Sequence, residues 1–156
     1  MAKSLVAYFS ATGTTKRLAE RLAKVAGADL FQIEPQQPYT SADLNWSDGS
    51  SRTTQEKNDP STRPAITGSP DTAPYDVVYI GFPIWWYTAP NVVHTFLEAC
   101  NLAGKTVVPF ATSDGSSMGR TAQSLAASAQ GAKVEQGAVL NGASDARLAR
   151  FVGRFQ

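Results

Sequence analysis

The 156-residue sequence is short of the groups from which many kinds of site are built. It has one cysteine, Cys100, so it cannot close an internal disulfide or a Cys-rich zinc site. It has one histidine, His94, which excludes a centre that needs two or three imidazole ligands. Charged residues make up only 17%, and 14 Lys and Arg against 13 Asp and Glu leave a net charge of +1. That balance supplies neither a basic field to hold nucleic acid nor an acidic tail. The longest mostly apolar run, Val77–Tyr87, is broken by Gly81 and Pro83 and is far short of a membrane span. The opening MAKSLVAYFSATG lacks the apolar stretch and cleavage site of a secretory signal. The expectation is a cytoplasmic protein that engages neither membrane nor nucleic acid.

The apolar content, 42%, argues against disorder, and the length suits one domain over 1–156. Short apolar runs alternate with helical stripes. Leu5–Phe9 reads as a strand, and Leu18, Leu22, Val25 and Ala26 form a helical stripe stopped by Gly27. Leu30–Ile33, Val77–Phe82, Thr106–Ala111 and Val134–Leu140 read as further strands. Pro90 opens a second helix, Ala122–Ala129 gives a third stripe, and Ser144 caps a last helix carrying Leu148, Phe151, Val152 and Phe155. This alternation predicts an α/β fold, a doubly wound parallel sheet with helices on both faces. Two features strain the pattern. Pro109 lies inside a strand and predicts a bulge or irregular pairing. The polar segment 35–74 is too long for an ordinary connection and predicts either a helix near Ser41–Lys57 or a long ordered loop, with Leu44 and Trp46 as anchors.

Ligands of such sheets bind beyond the C-terminal strand ends. Three loops leave those ends. The first, Ser10–Thr15, offers the hydroxyls of Ser10, Thr12, Thr14 and Thr15. Its Gly13 lets the backbone come close, just where a helix presents free N–H groups and its positive dipole end. That combination is a phosphate cradle, although neither a Walker A lysine nor a Gly-x-Gly-x-x-Gly pattern is present. Lys16 and Arg17, one turn in, read as solvated charges. The second loop, Pro83-Ile84-Trp85-Trp86-Tyr87-Thr88-Ala89-Pro90, sets three aromatics side by side. It predicts one ring against a planar ligand and another in packing. The third, Thr112-Ser113-Asp114-Gly115-Ser116-Ser117-Met118-Gly119, suits hydrogen bonding to the edge of a heterocycle.

YFSATGTT, GFPIWWY and PFATSDG at these three places resemble the bacterial flavodoxins, and the resemblance runs along nearly the whole chain. It implies a flavodoxin-like five-stranded parallel sheet ordered 2-1-3-4-5, non-covalent FMN, and an electron carrier working between redox partner proteins, a reductase and an acceptor. It also implies roles for residues. Ser10, Thr12, Gly13, Thr14 and Thr15 would hold the FMN phosphate. Pro83, Ile84, Trp85, Trp86 and Tyr87 would cover the isoalloxazine, with Trp85 or Trp86 stacked on it. Thr112, Ser113, Asp114 and Gly115 would line the pyrimidine edge. The flavin performs the redox step, so no protein residue is assigned as catalytic. The near-neutral charge departs from the acidic surface with which flavodoxins dock basic partners. So does the loop after Trp86, where Tyr87 and Thr88 stand in place of the usual glycine.

The rivals are an FMN-dependent NAD(P)H:quinone or flavin reductase, which would need room over the flavin for a second planar molecule, and a serine hydrolase. Gly115-Ser116-Ser117-Met118-Gly119 matches a nucleophile elbow, but no histidine follows Ser117. A phospho-receiver domain fails too, because Ile80-Gly81-Phe82 ends the third strand without the aspartate it requires.

Overall fold

The computed structural model describes residues 3–11, 13–45, 47–59, 61–85, 89–113, 118 and 121–155. The chain runs β1 (Ser4–Tyr8), α1 (Thr14–Ala26), β2 (Asp29–Gln32), α2 (Arg52–Asn58), β3 (Val77–Pro83), α3 (Asn91–Ala99), β4 (Thr106–Thr112), α4 (Thr121–Ala126), β5 (Lys133–Val134), β6 (Ala138–Val139) and α5 (Asp145–Gly153). The strands pair in parallel in the order β2-β1-β3-β4-β5, with β6 also on β4. This is the predicted order.

Alternate side chains of each strand enter different cores. Leu5, Ala7 and Phe9, with Val78, Ile80 and Phe82, meet Val92, Val93, Phe96 and Leu97 of α3 and Leu125 of α4. Val6, Tyr8, Tyr79, Val108 and Phe110 meet Leu18 and Leu22 of α1 and Leu148, Phe151 and Val152 of α5. The helices thus cover the two faces in pairs, and the central strands are apolar throughout because neither face meets water.

Pro109 explains the one irregularity in the sheet. The carbonyls of Lys105, Val107 and Ala111 accept from the N–H groups of Lys133, Glu135 and Leu140, so the odd-numbered residues of β4 face the last strand. Pro109 belongs to that set and has no N–H to give. From Val107 to Phe110 takes three steps, but their partners Val134 and Ala138 are four apart. The extra residue is a bulge, and it divides the expected strand Val134–Leu140 into β5 and β6. Gly137 makes the bulge possible with φ 71°, and a Cβ there would overlap the carbonyl oxygen of Pro109.

The polar segment contains a shorter helix than Ser41–Lys57. Only Arg52–Asn58 is helical, started by Ser51, whose Oγ accepts from the N–H of Thr54. The chain then doubles back, with Gln36 N–H on the Ala65 carbonyl, Thr67 N–H on the Glu34 carbonyl and a bridge between Pro35 and Ile66. Its anchors on the α3/α4 face are Tyr39, Ile66 and Tyr75. The expected anchor Leu44 is only half-buried, and Trp46 lies outside the described residues. The third stripe also ends early, at Ala126.

His94 is half-buried, not the simple surface residue its helix position suggests. Its Nδ1 lies 2.7 Å from Ser128 Oγ, which donates to Glu98 Oε2 at 3.0 Å. Arg63 holds both oxygens of Glu98, at 2.9 and 3.1 Å. The chain of contacts ties the polar segment to α3 and the end of α4. Burial and the Arg63 charge push the His94 imidazole below its ordinary value of 6.5. The Arg63 hydrogen bond holds the Glu98 carboxyl below 4.5. In acid the unfolded chain therefore binds more protons than the folded one at both groups. Stability will fall as the pH drops through about 6.5 and again below about 4.5. His94→Asn will flatten the first decline and leave the second, which denaturant midpoints measured from pH 8 to 4 will read out.

Candidate functional site

The connections after β1, β3 and β4 leave the same edge of the sheet. β1 and β3 are adjacent at its centre, where the chain turns from one direction of strand addition to the other. That reversal opens a crevice at the strand ends.

The first loop enters α1 through Gly13, whose φ of 96° and ψ of −11° lie in the left-handed region where a side chain is strained. Its N–H donates to Ser10 Oγ at 3.1 Å, and its carbonyl accepts from the Arg17 N–H at 3.1 Å. The next N–H groups, of Thr14, Thr15 and Lys16, have no acceptor inside the helix. They converge on the crevice with the positive end of the α1 dipole behind them. Thr14 is exposed and Ser10 half-buried, so both hydroxyls are reachable. Arg17 is exposed, in keeping with a solvated charge, and its guanidinium stands beside the loop. Its Nη1 lies 3.5 Å from where a Cβ on Gly13 would be.

The other two loops are tied to the first. Thr15 Oγ1 and Thr112 Oγ1 are 2.8 Å apart in a buried hydrogen bond across the β1 and β4 ends. Thr112 also accepts the Ile84 N–H at 2.9 Å through its carbonyl, opposite Pro83 in register. Asn141, just after β6, clamps Ser113. It donates through Nδ2 to the Ser113 carbonyl at 2.9 Å, and its Oδ1 accepts the Ser113 N–H at 3.3 Å. Sequence reasoning missed Asn141. The signal was its position after the last strand, which the predicted order sets beside β4.

The second loop begins in an aromatic cluster. Trp85 meets Phe9 edge-on at 5.6 Å and Tyr39 at 5.4 Å between ring centres, and Phe9 and Tyr39 are themselves 5.5 Å apart. Tyr39 donates to Glu56 Oε1 at 2.6 Å, and the Arg52 guanidinium lies 3.8 Å above its ring. Arg52 in turn holds Glu56 Oε2 at 3.0 Å and the Gln37 carbonyl at 2.6 Å. Burial and the Glu56 hydrogen bond raise the Tyr39 hydroxyl above its ordinary pKa, so it stays a protonated donor. Trp85 is thus packed against the polar segment through Tyr39. A cleft of about 250 Å³ opens nearby, between the first loop and Ile33, Glu34, Pro35 and Tyr39. It lies on the β2 side of β1 and not at the β1/β3 crevice.

Of the expected site residues, Ser10, Gly13, Ile84, Trp85 and Ser113 stand on these three connections, and Thr14, Thr15, Pro83 and Thr112 at the ends of the elements they join. Thr12, Trp86, Tyr87, Asp114 and Gly115 lie outside the described residues. No cluster of metal-ligating side chains occurs among the described residues, and none of their helices is long and apolar enough to cross a membrane.

A model of the family described as Flavodoxin matches residues 3–155. The chain belongs to the flavodoxin family. Two solved structures resemble it along almost its whole length. One is a protein from Bacteroides eggerthii assigned as a flavoprotein, 48% identical with a TM-score of 0.91, the match covering 99% of this chain and 98% of that one. The other, from Bacteroides uniformis and assigned likewise, is 44% identical with a TM-score of 0.92, covering 97% and 98%. A flavoprotein from Lactobacillus acidophilus, solved in complex with FMN, shares the fold at 23% identity and a TM-score of 0.70, covering 86% and 90%. No curated protein matches the chain. Flavodoxin architecture accounts for the strand order, the two helical layers and the position of the crevice.

Proposed function

We propose that this flavodoxin-family protein binds FMN non-covalently in the crevice and carries electrons between redox partner proteins. The observation that carries this reading is the first loop. A left-handed glycine opens α1, with the hydroxyls of Ser10 and Thr14 within reach and the Arg17 guanidinium beside it. These groups fit a phosphate dianion by charge and by donor count. Ser10 keeps its hydroxyl proton for the ligand while its oxygen accepts from Gly13. Thr15 contributes its backbone N–H, since its hydroxyl is engaged with Thr112. That engagement makes Thr112 part of the floor of the site and holds the phosphate end and the pyrimidine end at a fixed separation. Asn141 sets the Ser113 backbone, which with Asp114 and Gly115 would face the ring edge. With Trp85 built into the Phe9–Tyr39 cluster, Trp86 and Tyr87 are the aromatics assigned to the ring face. Bound FMN supplies one- and two-electron chemistry; the residues here bind it, orient it and keep water from its face.

The carrier reading is favoured over a reductase by the composition of the second loop, whose adjacent Trp85, Trp86 and Tyr87 suit covering the flavin face that a nicotinamide would need. The purified, FMN-loaded protein will not oxidise NADH or NADPH at a steady rate with a quinone present, yet will pass electrons once reduced chemically. Turnover of the nicotinamide without any added reductase would replace the carrier with the enzyme.

A further inference from the structure

The net charge of +1 hides a strong asymmetry. α1 and its neighbour α5, with the residue that caps α5, carry Lys16, Arg17, Arg21, Lys24, Arg147, Arg150 and Arg154 against only Glu20 and Asp145. All seven cations are exposed. The two helices cover the same face of the sheet, and Arg21 joins them by bonding Asp145 at 2.8 Å and the Ala143 carbonyl at 2.8 Å. Among the described residues, Lys16, Lys24 and Arg150 have no ion-pair partner, while Arg17 stands beside the proposed phosphate site. The opposite sign collects elsewhere. Positions 29 to 76 hold eight Asp and Glu against three Lys and Arg, and this stretch packs through Tyr39, Ile66 and Tyr75 on the other face of the sheet. Positive charge thus gathers on the α1/α5 face, and the segment packed against the opposite face is acidic on balance.

We propose that the α1/α5 face docks an acidic protein, which under the carrier reading above is one of the redox partners. Apart from Arg21, which is engaged with Asp145, four of the six cations are arginines, whose planar forks pair carboxylates two bonds at a time. The face has no apolar wedge for a bilayer. Leu30 is the one large hydrophobic residue exposed among the described residues, and it lies on β2. With α1 about 20 Å long and α5 roughly 10 Å beside it, the face is small for a permanent interface and suits a brief, charge-steered encounter. At its upper end Lys16 and Arg17 border the phosphate loop, so a partner seated there lies beside the proposed flavin. This sign is opposite to that expected of the family's acidic surface.

The test uses two one-electron acceptors, an acidic blue-copper protein and a basic c-type cytochrome. Backbone NMR of the FMN-loaded protein titrated with the copper protein will show shifts on α1 and α5 that disappear in about 0.5 M salt. Stopped-flow oxidation of the reduced protein by the copper protein will slow as ionic strength rises. Lys24→Gln with Arg150→Gln will slow it three- to tenfold at low salt. Lys57→Gln with Lys133→Gln, an equal change in net charge, will leave it within twofold. Equal slowing by both pairs, or shifts mapping away from the two helices, would overturn the assignment. So would co-sedimentation with vesicles of anionic phospholipid, or binding of duplex DNA, at 0.15 M salt, since either would make the partner something other than a protein. Failure to bind FMN would abolish the rates, whereas the same titration of the flavin-free protein would still map the shifts on α1 and α5, so the two readings fail separately.

Discussion

Replacing Thr12 and Thr14 together by alanine will weaken FMN binding roughly 10²- to 10⁴-fold and leave riboflavin within a few-fold of its original affinity. Only FMN carries the phosphate, so only FMN reports on the loop. A hydrogen bond to a charged group contributes about 1.5–3 kcal/mol, and the double variant removes two. Thr14 is exposed in the first turn of α1 beside the left-handed Gly13, where a ligand can reach its hydroxyl. The backbone N–H groups and the helix dipole remain in the variant, so some preference for FMN over riboflavin will survive. Calorimetric titration of the apoprotein with the two flavins gives both numbers. Equal weakening of both would move the phosphate away from this loop.

Gly137→Ala will destabilise the fold by about 3 kcal/mol or more. An alanine at φ 71° is strained by roughly 1–2 kcal/mol. Its methyl group would also overlap the Pro109 carbonyl, in backbone that is itself paired to β3. Forcing such a contact adds roughly 1–3 kcal/mol. For a chain of this length the melting midpoint should fall by roughly 6–12 °C. Gly142→Ala is the control. It has a similar φ of 76° but open space around the missing Cβ, so it pays only the backbone strain. A Gly137 variant no less stable than the Gly142 variant would mean that the bulge opposite Pro109 is absent.

The sheet was legible because buried parallel strands write themselves as apolar runs, and each helix stripe points to one face. Ser144 capping α5 could be read from its type and place, and the structure gives its Oγ the Arg147 N–H at 3.2 Å. The polar segment could not be read in the same way. Between positions 41 and 51 the side chains of Asn45 and Asp48 take the N–H groups of Ser47 and Ser50. Those bonds stabilise turns in place of the helix that spacing alone would allow. Pro109 signalled an irregularity in its own strand, yet the adjustment falls on the neighbour, where Gly137 can accept it. Tyr39 was invisible because it acts on a loop far away in sequence, and Asn141 was marked only by its place after the last strand. Trp85 and Trp86 are equivalent as residue types, and the contact of Trp85 with Tyr39 could not be read from the sequence. The basic face escaped for a related reason. Its charges come from two helices more than a hundred residues apart, and the total for the chain cancels them.

The central claim is that the crevice at the strand ends holds FMN, one per chain and without a covalent bond. The most direct measurement is to purify the protein, precipitate it with acid and identify the flavin released, with its amount relative to protein. All of the flavin will leave with the supernatant as FMN, and the apoprotein will then rebind one equivalent of FMN in preference to riboflavin. A protein that is colourless and fails to take up added FMN, or whose flavin stays with the precipitate, would contradict it.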